Sequence, residues 1–571
     1  MSIIPNTEKW GCRQIAAGLA AFGVKHIVTS PGSRNAPLIM AVARHPKLEV
    51  HSVIDERSAA FIALGMASVS GKPVAVICTS GTAMLNFGPA IAEAFYRHIP
   101  LIAVTADRPT EWIDQDDSQT IRQPGALQNI VKASYNFKGE AVSTEEQWYV
   151  NRLINDALLC ATSGRKGPVH INISLNAPLA TETETTALEA FRKIDILQVP
   201  DIIPNETVRE LVKHICGKKV LIVAGFNPPS AKLNKAMGIL AGMPNVCIIA
   251  EGLANLHFKG NKIHNPDATL TNIEKKSEAL ETNVDDFNPD ILISFGGALV
   301  SASLKRFLRA SKPTEHWHVG INDATIDCFM SLTKRIEIPP EGFFPKLATS
   351  LSHLTRAGSN QSKYASTWEK AAASQSDIPS SDNRQWNAVD AVGQILSAIP
   401  PGWNLQLSNG MSVRYALSYP LEKFHRVDCN RGVSGIDGST STAVGAASVY
   451  TKPTLLITGD MSMQYDISAL SSNLINKRLR IVVINNGGGG IFNYVKTTAG
   501  LPETPRLIHC DLNLPIKALA DAYGFYHIQA ASFTELKKAI RNMLGCHDRP
   551  VILEVITDSH TDAEIMKTKY V

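Results

Sequence analysis

What most restricts the fold of this 571-residue chain is an alternation. Short β-branched runs bounded by turn residues take turns with helical patterns, which is the mark of an α/β protein. "KHIVTSPG" reads as a strand ending in a turn, with a helix to follow from about Ala36 to Arg44. "LEVHSVID", "KPVAVICTSG" and "PLIAVTADRP" read as further strands, the last two separated by a helix broken at Gly88-Pro89. Such runs are nearly continuous in apolar residues, as strands covered on both faces of a parallel sheet must be. The last third of the chain repeats the pattern in "GSTSTAVGAASVYTKPTLLITGD" and "LRIVVINNGGGGIF". "MASVSGKPVAVICTSG" (66–81) aligns with "AASVYTKPTLLITGD" (446–460) at a constant offset of 380 through the Lys-Pro, so the two ends are expected to be related domains. Between them "KKVLIVAGF", "NVCIIAEG", "DILISFGG" and "HWHVGIN" predict the strands of a third. Polar stretches at 180–190, 356–366 and 374–383 mark linkers. The expectation is three doubly wound, mostly parallel-sheet α/β domains at 1–182, 190–355 and 380–571.

Charge excludes some partners. Lys plus Arg is 56 against 52 Asp plus Glu, a net charge of +4 spread over the whole length. That gives no field to attract nucleic acid or a membrane surface. Nine cysteines without a C-x-x-C pattern read as reduced thiols of an intracellular protein. The opening residues carry polar groups within their apolar pattern and fit an amphipathic helix, not a signal peptide, so a cytoplasmic location is expected.

Two motifs carry chemistry. In "LLITGDMSMQYD" Asp460 closes a strand and opens a helix, and in "RIVVINNGGGGIF" Asn486 ends the next strand in a glycine run. One helix plus one strand separates them, which brings both side chains to the carboxyl ends of neighbouring parallel strands, where open α/β sheets bind ligands. A carboxylate, an amide oxygen and a backbone carbonyl, placed here at Gly488, form a hard oxygen site suited to Mg²⁺ (or Mn²⁺) shared with phosphates. Gly488 and Gly489 allow close approach of the backbone, while helix starts at Met461–Ser462 and Ile491–Phe492 offer N–H groups. The second motif is "HSVIDERSAAFIALGMASVSGKP" (51–73). Asp55 and Glu56 precede a helix that is apolar all round. A carboxylate there can simply cap the helix.

The Asp460–Asn486 pattern resembles the metal-diphosphate motif of thiamine diphosphate enzymes. That resemblance implies a cofactor whose aminopyrimidine is held by the N-terminal domain and whose diphosphate is held by the C-terminal domain of a second subunit, hence a homodimer or a dimer of dimers. It gives Glu56 the role of sharing a proton with the pyrimidine, puts Glu56's apolar helix in the subunit interface, lines the pyrimidine pocket with Thr79, Gly81 and Thr82, and makes Ile436 the apolar prop of the bent cofactor. "SPGSRNAPL" (30–38), "TADRP" (105–109), "SQTIRQPG" (118–125) and "NRGVSGIDG" (430–438) narrow the resemblance to the 2-succinyl-5-enolpyruvyl-6-hydroxy-3-cyclohexene-1-carboxylate synthases of menaquinone biosynthesis. The implied activity is decarboxylation of 2-oxoglutarate and 1,4-addition of the succinic semialdehyde unit to isochorismate. Two dicarboxylate substrates need several cations, and charge-assisted pairing rewards each one. By the resemblance Arg414 and Arg431 face 2-oxoglutarate, while Arg34, Arg108, Gln119 and Lys305 face isochorismate; Ser33 joins Arg34. The sequence departs from the family at Gly410, where a serine is expected, at Ser118 for an asparagine, and at Gly487 and Gly490. An acetohydroxyacid synthase-like carboligase and a non-catalytic relative stay open at this point.

Overall fold

A computed structural model describes residues 5–184, 187–197, 201–322, 324–355, 362–372 and 385–570. The expected linker at 374–383 lies outside these residues, as do 356–361 of the segment before it.

Three sheets form, and every pairing between their strands is parallel. The N-terminal sheet runs Glu49–Ser52, His26–Thr29, Val74–Cys78, Leu101–Asp107, Val169–Ser174, Ser134–Lys138 across its width. The C-terminal sheet runs Arg426–Cys429, Asn404–Leu407, Thr454–Gly459, Leu479–Asn485, Val551–Ile556, Tyr526–Ala530. Numbered along the chain within each sheet, both have the order 2-1-3-4-6-5. Shared topology and the 380-residue offset therefore point the same way: Val74 and Thr454 each open the third strand of their sheet. The middle sheet has five strands, ordered Lys334–Ile336, Glu315–Val319, Ile291–Phe295, Val220–Ala224, Val246–Ala250. The short strand Lys334–Ile336 has no apolar run to announce it.

The apolar helix of the second motif spans Glu56–Ser70. Asp55 is its N-cap, accepting from the N–H groups of Arg57 and Ser58 at 2.9 and 3.3 Å, and Gly71 ends it in the left-handed conformation at φ 66°. Every residue from Ser58 to Ser68 is buried. The cover comes from the same chain, where helix Ser439–Val449 packs along it. Phe61, Ile62 and Met66 join Val444, Ala447, Leu456 and Met463 in one core that crosses from the first sheet to the third.

Residues 187–194, expected to begin a free connection, lie back on the N-terminal domain. The Glu189 carboxylate accepts from Trp10 Nε1 and Arg13 Nε at 3.0 and 2.8 Å, and Asn155 Oδ1 accepts from the Ile194 N–H at 2.7 Å. All nine cysteines are unbridged. Among the described residues no helix is long and apolar enough to cross a membrane.

Candidate active site

Strand Thr454–Gly459 ends at Asp460, the first residue of a short helix. Its side chain is buried, with one oxygen on the Met461 N–H at 2.7 Å and the other on the N–H groups of Gly487 and Gly488 at 2.9 and 3.0 Å. The two strand ends are thus joined through the carboxylate. Burial pushes the Asp460 carboxyl up, and those N–H groups pull it part of the way back. A divalent cation would favour its ionised form further. Asn486 donates its amide N–H to Asp562 at 3.4 Å, a bond that does not use its amide oxygen. Asp562 itself is anchored by the Ala388 N–H and the Thr557 hydroxyl, both at 2.7 Å.

The glycines after Asn486 are there for their backbone. Gly487 and Gly488 take φ of 83° and 140°, and a Cβ on Gly488 would lie 2.8 Å from the His509 ring. Helix Ile491–Tyr494 begins directly after this turn and carries half-buried Ile491 and Phe492. Met461 is half-buried and Ser462 is buried, its hydroxyl donating to the Ile436 carbonyl at 2.6 Å. That bond ties the "NRGVSGIDG" loop to the short helix that Asp460 opens.

The same loop brings up the cations. Arg431 donates to Asn409 Oδ1 at 3.1 Å, while Asn409 donates to the carbonyls of Asn430 and Gly435 at 2.6 Å each. Arg414 donates to the Gly410 carbonyl. Burial lowers the pKa of Arg414, and the nearby Arg431 lowers it further; the same two causes, in the same order, act on Lys305. Lys305 lies on helix Ala302–Ser311 of the middle domain, where it donates to the Leu299 carbonyl at 3.4 Å. Glu251 supports that helix from below: its buried carboxylate accepts from the N–H groups of Val300 and Ser301 at 2.8 and 2.6 Å. Gly410, where a serine was expected, has φ 80° and ψ −133°, a conformation open to glycine and strained for serine.

On the N-terminal sheet a second set converges. Arg34 donates to the Leu175 carbonyl at 2.8 Å, and Arg108 pairs with Asp117. Burial lowers the Arg34 pKa, and the charge of Arg108 lowers it further. Ser33 is exposed beside Arg34. Gln119 sits at φ 54°, with its backbone against Gly81: a Cβ there would lie 3.3 Å from the Gln119 carbonyl. Gly81 has φ 84°, its N–H bound by Gln123 Oε1 at 2.8 Å. Thr79 is buried and Thr82 exposed. Glu56 is half-buried; burial pushes its carboxyl up, its own backbone N–H opposes this, and Asp55 raises it again.

Asn409, Gln123, Glu251, Asp562 and Glu93 were missed in the sequence. Glu93, on helix Gly88–Arg97, accepts from the N–H groups of Gly432 and Val433 at 2.8 Å each, holding the Arg431 loop from the other domain. No local pattern marks it, since 339 and 340 residues separate the partners.

These residues suit thiamine diphosphate with Mg²⁺. The donor set around Asp460 and Asn486 is hard oxygen, and the glycine turn is a cradle that a Cβ would fill. Among the described residues the buried hydroxyls of Thr79, Ser80, Ser439 and Thr440 and the buried Nε of Arg108 and Arg431 have no partner within the chain. Buried polar groups of that kind call for a bound one.

Comparison with known proteins agrees. Residues 9–129 match the family described as thiamine pyrophosphate enzyme, N-terminal TPP binding domain, and residues 409–555 match its C-terminal TPP binding domain. A protein of Porphyromonas gingivalis is 39% identical over 557 residues, covering 96% of this chain and 94% of the relative. One of Bacteroides fragilis is 36% identical over 569 residues, covering 99% of each. One of Flavobacterium johnsoniae is 35% identical over 563 residues, covering 96% of each. All three bear the name 2-succinyl-5-enolpyruvyl-6-hydroxy-3-cyclohexene-1-carboxylate synthase. Paired end domains of one topology, matched to the two TPP binding domains, thus make this a thiamine diphosphate-dependent enzyme. Within that class, identity over nearly the whole length shows that the chain belongs to the 2-succinyl-5-enolpyruvyl-6-hydroxy-3-cyclohexene-1-carboxylate synthase family.

Proposed function

We propose that this chain decarboxylates 2-oxoglutarate and adds the succinic semialdehyde unit to isochorismate in a 1,4-addition, giving the product for which its relatives are named, in menaquinone biosynthesis. The observation that carries the reading is that two sets of cations, Arg34 with Arg108 and Arg414 with Arg431 and Lys305, are partly buried and each lies within the other members' charge. Cations gathered in this way, partly out of water, favour anionic ligands. Two dicarboxylates supply four carboxylates to meet them, and an uncharged acceptor would leave them unpaired.

Thiamine diphosphate, when bound, supplies the electron sink that a 2-oxo acid needs to lose CO₂. The chain's residues do the rest. Asp460, Asn486 and the Gly488 carbonyl would hold Mg²⁺ or Mn²⁺, with Met461, Ser462, Gly489, Ile491 and Phe492 lining the diphosphate. Glu56 would hold a proton at the aminopyrimidine, a task suited to a carboxyl pushed up by burial. Thr79, Gly81 and Thr82 would line that pocket, and Ile436, fixed by Ser462, would prop the cofactor. Arg414 and Arg431 would take 2-oxoglutarate; Ser33, Arg34, Arg108 and Gln119 would take isochorismate. Lys305 would join them there, and the resemblance to thiamine diphosphate enzymes implies a site assembled from two chains. We therefore infer a homodimer, alone or doubled, in the cytoplasm.

The test is one incubation with thiamine diphosphate, Mg²⁺, 2-oxoglutarate and isochorismate, following CO₂ release and isochorismate loss together. Coupled, cofactor-dependent progress of both supports the reading. CO₂ release without isochorismate loss makes the acceptor wrong.

A further inference from the structure

We propose that His26, Glu49 and His51 form a second metal site, for a borderline transition ion such as Zn²⁺, at the edge of the N-terminal sheet. The two outermost strands put these residues together. His26 opens one strand and is the register partner of Glu49 on its neighbour, and His51 follows Glu49 by two residues, on the same face. His26 Nδ1 lies 3.3 Å from His51 Nε2 and 3.4 Å from Glu49 Oε2. One ligand atom from each residue falls within 4.8 Å of the other two.

The two separations from His26 Nδ1 are those of ligands around one ion. With bonds of about 2.0–2.2 Å, a tetrahedral ion sets its ligand atoms roughly 3.3–3.5 Å apart. Two imidazoles and one carboxylate leave a fourth position for water. Lys25 holds the other Glu49 oxygen at 2.8 Å, which turns Oε2 toward the histidines. The imidazole rings lie side by side, 5.6 Å between centroids and 28° between planes. Glu49 is exposed and both histidines are half-buried, so an ion can enter from solvent.

Imidazole ligands separate this site from the one at Asp460. Nitrogen donors favour Zn²⁺, Co²⁺, Ni²⁺ and Cu²⁺, whereas Mg²⁺ takes oxygen. An ion here would staple the edge strand to its neighbour. His51 stands five residues before Glu56, so the stapled strand is the one that leads into the proton-holding turn.

The experiment is a Zn²⁺ titration of the holoprotein in excess Mg²⁺ and thiamine diphosphate, with Co²⁺ as the spectroscopic probe. We expect one Zn²⁺ per chain that excess Mg²⁺ does not displace, and a Co²⁺ spectrum with the strong visible bands of a tetrahedral set. In Glu49→Gln, at an exposed position where folding is not at stake, the affinity falls about 10- to 100-fold. In His51→Ala the stoichiometric binding is lost, while thiamine diphosphate still binds with Mg²⁺. Unchanged Zn²⁺ affinity in both variants assigns the ion elsewhere, to a cysteine for example, and overturns the proposal. So does the weak spectrum of octahedral Co²⁺.

Discussion

Gly65 and Gly445 each stand where the other's helix passes. A Cβ on Gly65 would lie 2.0 Å from the Thr442 carbonyl oxygen, and one on Gly445 would lie 2.0 Å from the Ile62 carbonyl oxygen. The offset of 380 residues relates Gly65 to Gly445 and Ile62 to Thr442, so the two contacts are one contact made twice about a local twofold. Gly65→Ala or Gly445→Ala must push the two helices apart along their whole buried length. Overpacking of this kind costs about 1–3 kcal/mol, and a backbone carbonyl at that distance puts these variants at or beyond the upper end. Thermal unfolding should show a clear drop in midpoint for both. Gly500→Ala, exposed with no atom within 4 Å of its Cβ, should show none.

Glu56 and Asp55 divide two tasks that the sequence leaves to either. Asp55 caps the helix and also accepts from the Ser468 hydroxyl at 2.6 Å. Glu56 therefore owes nothing to capping. Glu56→Gln is expected to stay folded, with an unfolding midpoint near that of the parent, and to lose nearly all turnover. Asp55→Ala loses the cap, about 0.5–2 kcal/mol of stability, and keeps more activity than Glu56→Gln. Full turnover in Glu56→Gln would remove Glu56 from the site.

Asp466 gives stability a pH dependence that can be isolated. It is fully buried, accepting from the Ser441 N–H and hydroxyl at 2.6 and 2.7 Å, and burial pushes its pKa up to about 6. An unfolded aspartate titrates near 3.9. Between those values the folded chain holds a proton that the unfolded chain has released. The contribution is therefore complete below about pH 4 and is lost as pH rises through about 6. Asp466→Asn lacks this titration. The midpoint of the variant minus that of the parent should be more positive at about pH 7.5 than at about pH 4.5. A difference independent of pH would mean that Asp466 is ionised throughout.

Local pattern made the sheets legible, because parallel strands buried on both faces must be apolar throughout, as Val74–Cys78 and Val220–Ala224 are. It made Asp460 and Asn486 legible because their motifs fix them to strand ends. The motifs around the arginines gave their place in sequence but not their company. That the charge of Arg431 reaches Lys305 depends on how the middle and last domains pack, and no periodicity encodes it. The same is true of Arg97, whose guanidinium pairs with Asp428 at 3.1 Å and lies 4.5 Å from the centre of the Phe226 ring, joining all three domains. Asn409 was hidden for another reason. Its amide works wholly on backbone and side chains within its own fold, and an Asn before a glycine reads as a turn.

Glu93 offers the sharpest test of such hidden support. Both its oxygens are spent on the N–H groups of Gly432 and Val433, directly after Arg431. Burial pushes its carboxyl up, against the pull of Arg97 and the two N–H groups. Glu93→Gln has the same shape but one acceptor atom, so one N–H loses its partner, at a cost of about 1–3 kcal/mol. The loop then loosens at the end that carries Arg431, while Arg34 and Arg108, on the other set, stay put. The expected result is a KM for 2-oxoglutarate that rises several-fold, with KM for isochorismate changed much less. Steady-state kinetics with each substrate varied in turn would read this out. An equal change in both constants, or a fall in kcat alone, would mean that Glu93 supports the whole site and not the Arg431 loop.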